Sequence, residues 1–286
     1  MTSPQVTRGE QAVTARVTTI VQAGRRPLPA LLREFWAYRE LLYFLVWRDA
    51  KVRYKQTVLG AAWAVLQPFM TMVVFSVVFG RLVGVPSDGR PYALFSFAAL
   101  VPWTYFAQSL SNAAASLVGN RVIARVYFPR LLVPAASVLT PLIDLGIALV
   151  MMFLIQMGWY HQWPSPQVIL LPLFILLACV TAFAAGIWFA ALNVKYRDVR
   201  FVLPFTLQFW MFATPIAYPA SLVPERWRPL YGLNPMASVV EGFRWAVLAT
   251  PPPGLMLVVS CVSVSVALWS GLHYFRRVEG TLVDVL

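Results

Sequence analysis

Six stretches of this 286-residue chain, at about 59–80, 92–117, 132–157, 168–192, 201–218 and 254–275, are each close to 20 residues of mostly apolar side chains. A hydrocarbon core of about 30 Å takes roughly 20 such residues in a helix. Inside it every backbone N–H and C=O must be satisfied within the protein, which leaves helices and closed barrels as spanning structures. None of the six runs shows the strict alternation of a barrel strand. The expectation is therefore an all-α integral membrane protein with six transmembrane helices. Composition agrees, with 59% hydrophobic and 12% charged residues, against about 25% charged in soluble domains.

An even number of spans puts both termini on one side, and the cations say which. Eighteen Lys and Arg lie in the termini and in segments 118–131 and 193–200, against five in the segments facing the other way. By the positive-inside rule both termini are cytoplasmic. The first 30 residues are basic but lack an apolar core followed by a small-residue cleavage site, so no cleaved signal peptide is expected. A net charge of +12 raises nucleic acid as a partner, but that reading needs a basic face on a soluble fold. The cations here flank apolar runs instead.

The densest cluster, WRDAKVRYKQTVLG at 47–60, sits directly before the first run. Over 35–56, Phe35, Tyr38, Leu42, Leu45 and Val52 are spaced as one stripe of a helix, while Arg39, Arg48, Lys51, Arg53 and Lys55 can reach head groups or a partner. An N-terminal amphipathic helix along the cytoplasmic surface is one reading, and a stop that only fixes orientation is the other. On the outer side, Met236, Val239, Val240, Phe243 and Val247 recur at helical spacing between Asn234-Pro235 and Pro251-Pro252-Pro253, a start and a stop. About 14 residues do not cross a bilayer. The expectation is a short helix half-immersed on the outer side, or a re-entrant segment between spans 5 and 6, forming a gate at an outer exit.

Two faces suggest a conduit. Phe201, Phe205, Phe209 and Phe212 fall on one side of the fifth run, with Trp210 and Tyr218 near. Lipid contact or helix packing explains such a stripe as well as a ligand does. Trp63, Gln67 and Thr71 share a face of the first run, and an amide in hydrocarbon is costly without a partner, so that face is expected to meet protein or water. Rings on both faces could meet the C–H surfaces of sugars.

Chemistry of other kinds is poorly provided for. The two histidines, His161 and His273, fall on opposite membrane faces, and the two cysteines, Cys179 and Cys261, lie in apolar runs, so neither a catalytic cluster nor a metal site is expected. Asp144 is the only carboxylate well inside a span; it is a functional candidate by default, with a hydrogen bond to a neighbouring helix as the plainer role. Glu225, Glu241 and Arg244 form the only close set of acids and bases, read as local ion pairs. No phosphate-cradling GxxxxGK[ST] loop occurs. Uphill transport by ATP hydrolysis would need a motor on another chain.

Four stretches carry a family resemblance: WRDAKVRYKQTVLGAAWAVLQP at 47–68, YFPRLLVPAASVLTPLIDL at 127–145, LNVKYRDVRFVLP at 192–204 with TPIAYP at 214–219, and LNPMASVVEGFRWAVL at 233–248. Together they resemble the permease subunits of ABC-2 type polysaccharide exporters, which handle O-antigen, capsule or teichoic acid. The resemblance covers about residue 35 to the C-terminus, and 1–30 reads as a flexible basic extension before a transmembrane domain at 31–286. It implies a homodimer in the cytoplasmic membrane, two ABC ATPase subunits carrying the ATP and Mg, and no cofactor on this chain. The implied substrate is an undecaprenyl-linked polysaccharide. By the same likeness 35–56 is an interface helix, whose Arg48, Lys51, Arg53 and Lys55 would receive the ATPase and a lipid diphosphate. Asn120, Arg121, Arg125 and Arg130, with Tyr196, Arg197 and Asp198, would meet the ATPase. Asn234, Pro235, Glu241 and Arg244 would belong to the gate region, and spans 1 and 5 would wall the channel. A permease for drugs or small lipids, or a membrane enzyme acting on lipid-linked sugars, is the alternative.

Overall fold

The computed structural model describes residues 33, 35–55, 62–118 and 128–279; the extension 1–30 and the coupling candidates Asn120, Arg121 and Arg125 lie outside them. Among the described residues there is helix and no strand. Helix α1 (Arg39–Lys55) is followed by α2 (Ala62–Phe75), which runs on as a π-helical segment, Ser76–Val83, and stops at Gly84 in the left-handed region that glycine enters without a Cβ clash. Then come α3 (Tyr92–Ala115), α4 (Leu132–Leu139), α5 (Leu142–Gly158) and, after a 3-10 turn at Pro166–Leu170, α6 (Leu171–Lys195). The remainder is α7 (Val199–Phe212), the short α8 (Arg228–Tyr231), α9 (Pro235–Leu248) and α10 (Leu255–Glu279).

Among the described residues, five helical stretches are long and apolar enough to cross a membrane: Ala62–Val83, Tyr92–Ala115, Leu132–Gly158, Pro166–Lys195 and Leu255–Val278. They answer the first four expected spans and the sixth. The fifth differs. Helix α7 has 14 residues, about 21 Å at 1.5 Å per residue, short of the roughly 30 Å core. Side chains from the following segment end it. Tyr218 donates its hydroxyl to the Phe212 carbonyl, and Tyr231 and Asn234 both donate to the Ala213 carbonyl. The acceptors that another helical turn would have used are thereby taken.

Helix α3 is the hub, packing on α2, α4, α5, α6, α7 and α9. It is buried along most of its length, from Leu94 to Ala114, as expected of a helix apolar all round. Small residues let its neighbours approach. A Cβ on Gly186 of α6 would stand 2.8 Å from that of Ala113, a contact in the style of small-residue packing between membrane helices. The third span is broken at Thr140-Pro141, where the proline ring removes a backbone donor. The Val138 carbonyl beside the break accepts from Tyr105 and Ser109 of α3, so the interruption is satisfied from the hub.

At one end of the bundle lies a second apolar cluster. Leu45 of α1, Leu132 and Ala136 of α4, Ile187 and Ala190 of α6 and Phe275 of α10 share it. The stripe expected on α1 is thus partly right: Leu45 is buried and Phe35, Tyr38 and Leu42 pack against the cluster, but Val52 is 64% exposed and Ala50 is buried in its place. The helix is anchored by its middle rather than along a continuous seam.

Helix α9, expected as a short half-immersed helix or part of a re-entrant segment, lies at the opposite end and is enclosed by protein on nearly all sides. Every residue of it except Trp245 is buried, including Ser238, Glu241 and Arg244. It lies against α3, α6, α10 and the Pro166–Leu170 turn. Asn234 caps its start by accepting from the Met236 amide, and Pro235 occupies the first turn where its missing N–H costs nothing. Gly242 is required by contact: a Cβ there would overlap the ring of Phe174, itself fully buried. Gly242→Ala is expected to destabilise the solubilised protein by about 1–3 kcal/mol through overpacking, read as a lower unfolding temperature, with Phe174→Leu in the same chain recovering part of the loss. An unchanged transition would show that α9 and α6 are not closely packed.

Candidate functional site

The most concentrated polar chemistry among the described residues is at the α9 end. Arg244 is fully buried, with its guanidinium carbon 3.4 Å from the centroid of the Phe95 ring. Its Nε donates to the Phe95 carbonyl at 3.2 Å, Nη2 to the Ile216 carbonyl at 2.8 Å, and Nη1 to Glu241 Oε1 at 2.8 Å and the Tyr218 carbonyl at 3.4 Å. Glu241 Oε1 also accepts from the Ala220 amide. The guanidinium remains charged, because arginine does not deprotonate in proteins. One side chain thus ties α9 to the start of α3 and to the irregular segment after α7.

A second tie lies beside it. Trp210 of α7 donates its indole N–H to Asn234 Oδ1 at 2.9 Å, while Asn234 Nδ2 donates to Thr214 Oγ1 at 3.0 Å. Tyr218 and Tyr231 share a hydroxyl contact of 2.6 Å. Of the gate candidates, Asn234, Glu241 and Arg244 are therefore hydrogen-bonding hubs in one closed structure. The acids read from the sequence as members of local ion pairs are so paired, Glu241 on Arg244 and Glu225 at 3.9 Å from Arg228.

The opposite end carries the basic helix. Arg53 Nη1 stands 2.7 Å from Asp144 Oδ2 of α5, and Tyr54 hydrogen-bonds the same carboxylate. Burial and then Asp144 push the Tyr54 phenol above its ordinary range. Asp144 is therefore partnered by α1. Arg48 pairs with its neighbour Asp49 at 2.8 Å, Lys51 lies over the Trp47 ring at 5.2 Å, and Lys51 and Lys55 are exposed. Tyr196, Arg197 and Asp198 are also exposed, on the turn joining α6 to α7, and Arg130 is half-buried. Sequence reasoning passed over Asn193, whose buried amide donates to the Ala114 carbonyl at 2.8 Å and fixes that turn to the end of α3. A lone amide near the end of an apolar run was the available signal.

The expected channel walls are placed apart. Phe201, Phe205, Phe209 and Phe212 are each more than half exposed on α7, and a shallow groove of about 330 Å³ runs past Phe205, Thr206, Phe209 and Trp210. Trp63 is 54% exposed and Gln67 is exposed, whereas Thr71 donates its hydroxyl to the Gln67 carbonyl. Helix α2 packs on α3 and α5, and α7 on α3 and α6. The helix they share within one chain is α3.

Residues 40–248 match the ABC-2 type transporter family. The chain is 32% identical over 255 residues to the O-antigen export system permease protein RfbA of Myxococcus xanthus, covering 87% of this chain and 97% of the relative. It is 28% identical over 210 residues to the protein of the same name in Klebsiella pneumoniae, covering 72% of this chain and 79% of the relative. It is 23% identical over 242 residues to the polysialic acid transport protein KpsM of Escherichia coli, covering 82% and 92% respectively.

Arg244→Met is expected to cost about 3–5 kcal/mol, because it leaves the Glu241 carboxylate buried without its partner. Glu241→Gln, which keeps an acceptor in place, should cost less. Denaturation of the solubilised chain ranks the two; equal and small losses would contradict the buried node.

Proposed function

This chain belongs to the ABC-2 type transporter family, and on that premise we propose that it is the permease subunit of an ATP-driven exporter carrying a lipid-linked polysaccharide across the cytoplasmic membrane. The observation that carries the reading is the near full-length match to a relative named for O-antigen export. The match to a polysialic acid transport protein supports the same class of cargo. A drug or small-lipid permease and a membrane enzyme are the less favoured readings.

In this reading the chain crosses the membrane six times, with α7 and the segment capped by α8 and α9 together making the fifth passage. Irregular backbone at that depth is tolerable only where protein or a wet cavity surrounds it, and the closed hydrogen-bonding around Asn234 and Arg244 meets that condition. Helix α1 lies at the cytoplasmic face, and the excess of cations at that end supports the orientation. Two copies assemble so that α2 and α7, separated within one chain, face their counterparts and wall a passage. Two ABC ATPase subunits dock below, on the exposed Tyr196, Arg197 and Asp198 and on Arg130 with the neighbouring loop. Exposed Arg48, Lys51 and Lys55 add attraction for an ATPase surface or a lipid diphosphate.

The chain itself performs guidance rather than bond chemistry. Phe205 and Phe209, with ring centroids 6.4 Å apart, and Trp63 and Gln67 offer flat apolar faces beside hydrogen-bonding groups, which hold a glycan without fixing its sequence of units. Because α9, the end of α7 and the start of α3 share the Arg244 node, the outer closure moves as one body. Deletion of the gene is expected to leave lipid-linked glycan inside the cell and remove it from the surface. Phe205→Ala with Phe209→Ala should lower export while the protein still assembles with its ATPase. Surface glycan at wild-type level after deletion would refute the export reading, and full-rate export by the double variant would refute the wall.

A further inference from the structure

A cavity of about 180 Å³ opens between α2, α3 and α5, at the end of the bundle that carries α1. Trp63 and Gln67 reach it from α2, Thr104 and Gln108 from α3, and Asp144 from α5, with Arg53 of α1 at its edge. Its apolar lining comes from Val101, Leu145 and Ala148. Three of these polar groups are underused. Among the described residues the Gln67 amide and the Thr104 hydroxyl have no hydrogen-bond partner, and Gln108 donates to Asn112 while its carbonyl oxygen has none. Amides and hydroxyls on membrane-spanning helices are costly without a partner, so a polar occupant that supplies both donors and acceptors is called for.

The charge of the cavity selects among occupants. Arg53 is committed to Asp144 at 2.7 Å, so the pair offers no net positive field, and the carboxylate repels a phosphate. A hydroxyl donates and accepts at once; a ring bearing several of them can serve the Gln67 amide, the Thr104 hydroxyl and the Gln108 carbonyl together. Trp63, 54% exposed, gives such a ring a flat apolar face. The volume is below the roughly 300–1,000 Å³ of pockets for drug-sized ligands, which fits one ring rather than a chain.

We propose that this cavity is a subsite for a single uncharged sugar ring of a membrane-anchored glycan, entered from the leaflet beside α1. The assignment rests on the export reading for its cargo. It adds that the unit held there is neutral, whereas a charged sugar or a lipid diphosphate is excluded from it.

The test uses the full chain in phospholipid nanodiscs and an octyl glucoside carrying a photoreactive diazirine, with adducts located by peptide mass spectrometry. Adducts are expected on peptides spanning 62–68, 101–108 and 141–148. Octyl glucoside should suppress them and octyl phosphate should not. Gln108→Leu, which removes hydrogen bonding at nearly constant volume, should weaken labelling about tenfold, the equivalent of one or two hydrogen bonds. Trp63→Ala should do the same, and Gln108→Leu decides the matter if the tryptophan variant fails to fold. Labelling spread evenly over the spans, equal suppression by octyl phosphate, or wild-type labelling of Gln108→Leu would mean that the cavity holds water only, and each overturns the subsite. The two readings fail separately. If deletion abolishes surface glycan while an unlabelled Gln108→Leu exports at wild-type rate, the subsite falls and export stands. If the cavity is labelled as expected but deletion leaves the surface unchanged, the export reading falls and the sugar site stands.

Discussion

A guanidinium removed from water must find an oxygen for its N–H groups, and in this protein that requirement organises an entire end of the molecule. Arg244 draws the Phe95, Ile216 and Tyr218 carbonyls and the Glu241 carboxylate around itself, with the Phe95 ring against its face. Two of those partners, the Ile216 and Tyr218 carbonyls, come from the irregular backbone after α7. The segment after α7 is irregular, and without Arg244 its Ile216 carbonyl would be buried unpaired. The shortness of α7, the burial of α9 and the closed α9 end of the bundle are therefore aspects of one arrangement. A buried ion pair is weak evidence of net stability, since hydrophobic replacements often do as well. Its effect here is on geometry: it fixes which irregular backbone meets which helix.

The two ends of the bundle use charge in opposite ways. At the α9 end the buried charges are satisfied internally, with Arg244 on Glu241, and Arg228 bonds the Val223 and Ser221 carbonyls. At the α1 end a single pair, Arg53 with Asp144, joins the basic helix to the broken third span, while Lys51, Lys55, Arg197 and Asp198 stay exposed. That asymmetry suits the proposed reading, in which an ATPase would act at one face and a passage would close at the other. The break at Thr140-Pro141 lies between α4, which packs on α1, and α5, which carries Asp144. Helix α1 is thus tied to the third span by packing on one side of the break and by an ion pair on the other.

Much of the fold was legible in the residues. The length of the apolar runs led to six expected spans, five of which are helices long and apolar enough to cross a membrane among the described residues, and the Asn234-Pro235 start of α9 was visible because capping and first-turn proline are local effects. The pairing of Glu241 with Arg244 followed from i,i+3 spacing on a helix. What could not be read depended on tertiary satisfaction. Run 5 is apolar through residue 218, and hydropathy alone cannot tell that Tyr218, Tyr231 and Asn234 will take the carbonyls where α7 would have continued. The burial of α9 on all sides was hidden for a similar reason: its apolar stripe is a real stripe, and only the partners of Ser238, Glu241 and Arg244 show that the polar face is buried too. The partner of Asp144 lies 91 residues away at Arg53, beyond the reach of periodicity. The aromatic stripe of α7 was correctly placed on one helix, but its use depends on what faces it, which one chain does not supply.

Amide hydrogen exchange of the whole chain in nanodiscs addresses the central claim most directly. If the outer end is a single closed structure built around Arg244, the amides of α9 and the last turn of α7 should exchange as slowly as those of α3. Exchange there as rapid as in the exposed turn at 196–198 would show an open, independently moving segment and contradict the account.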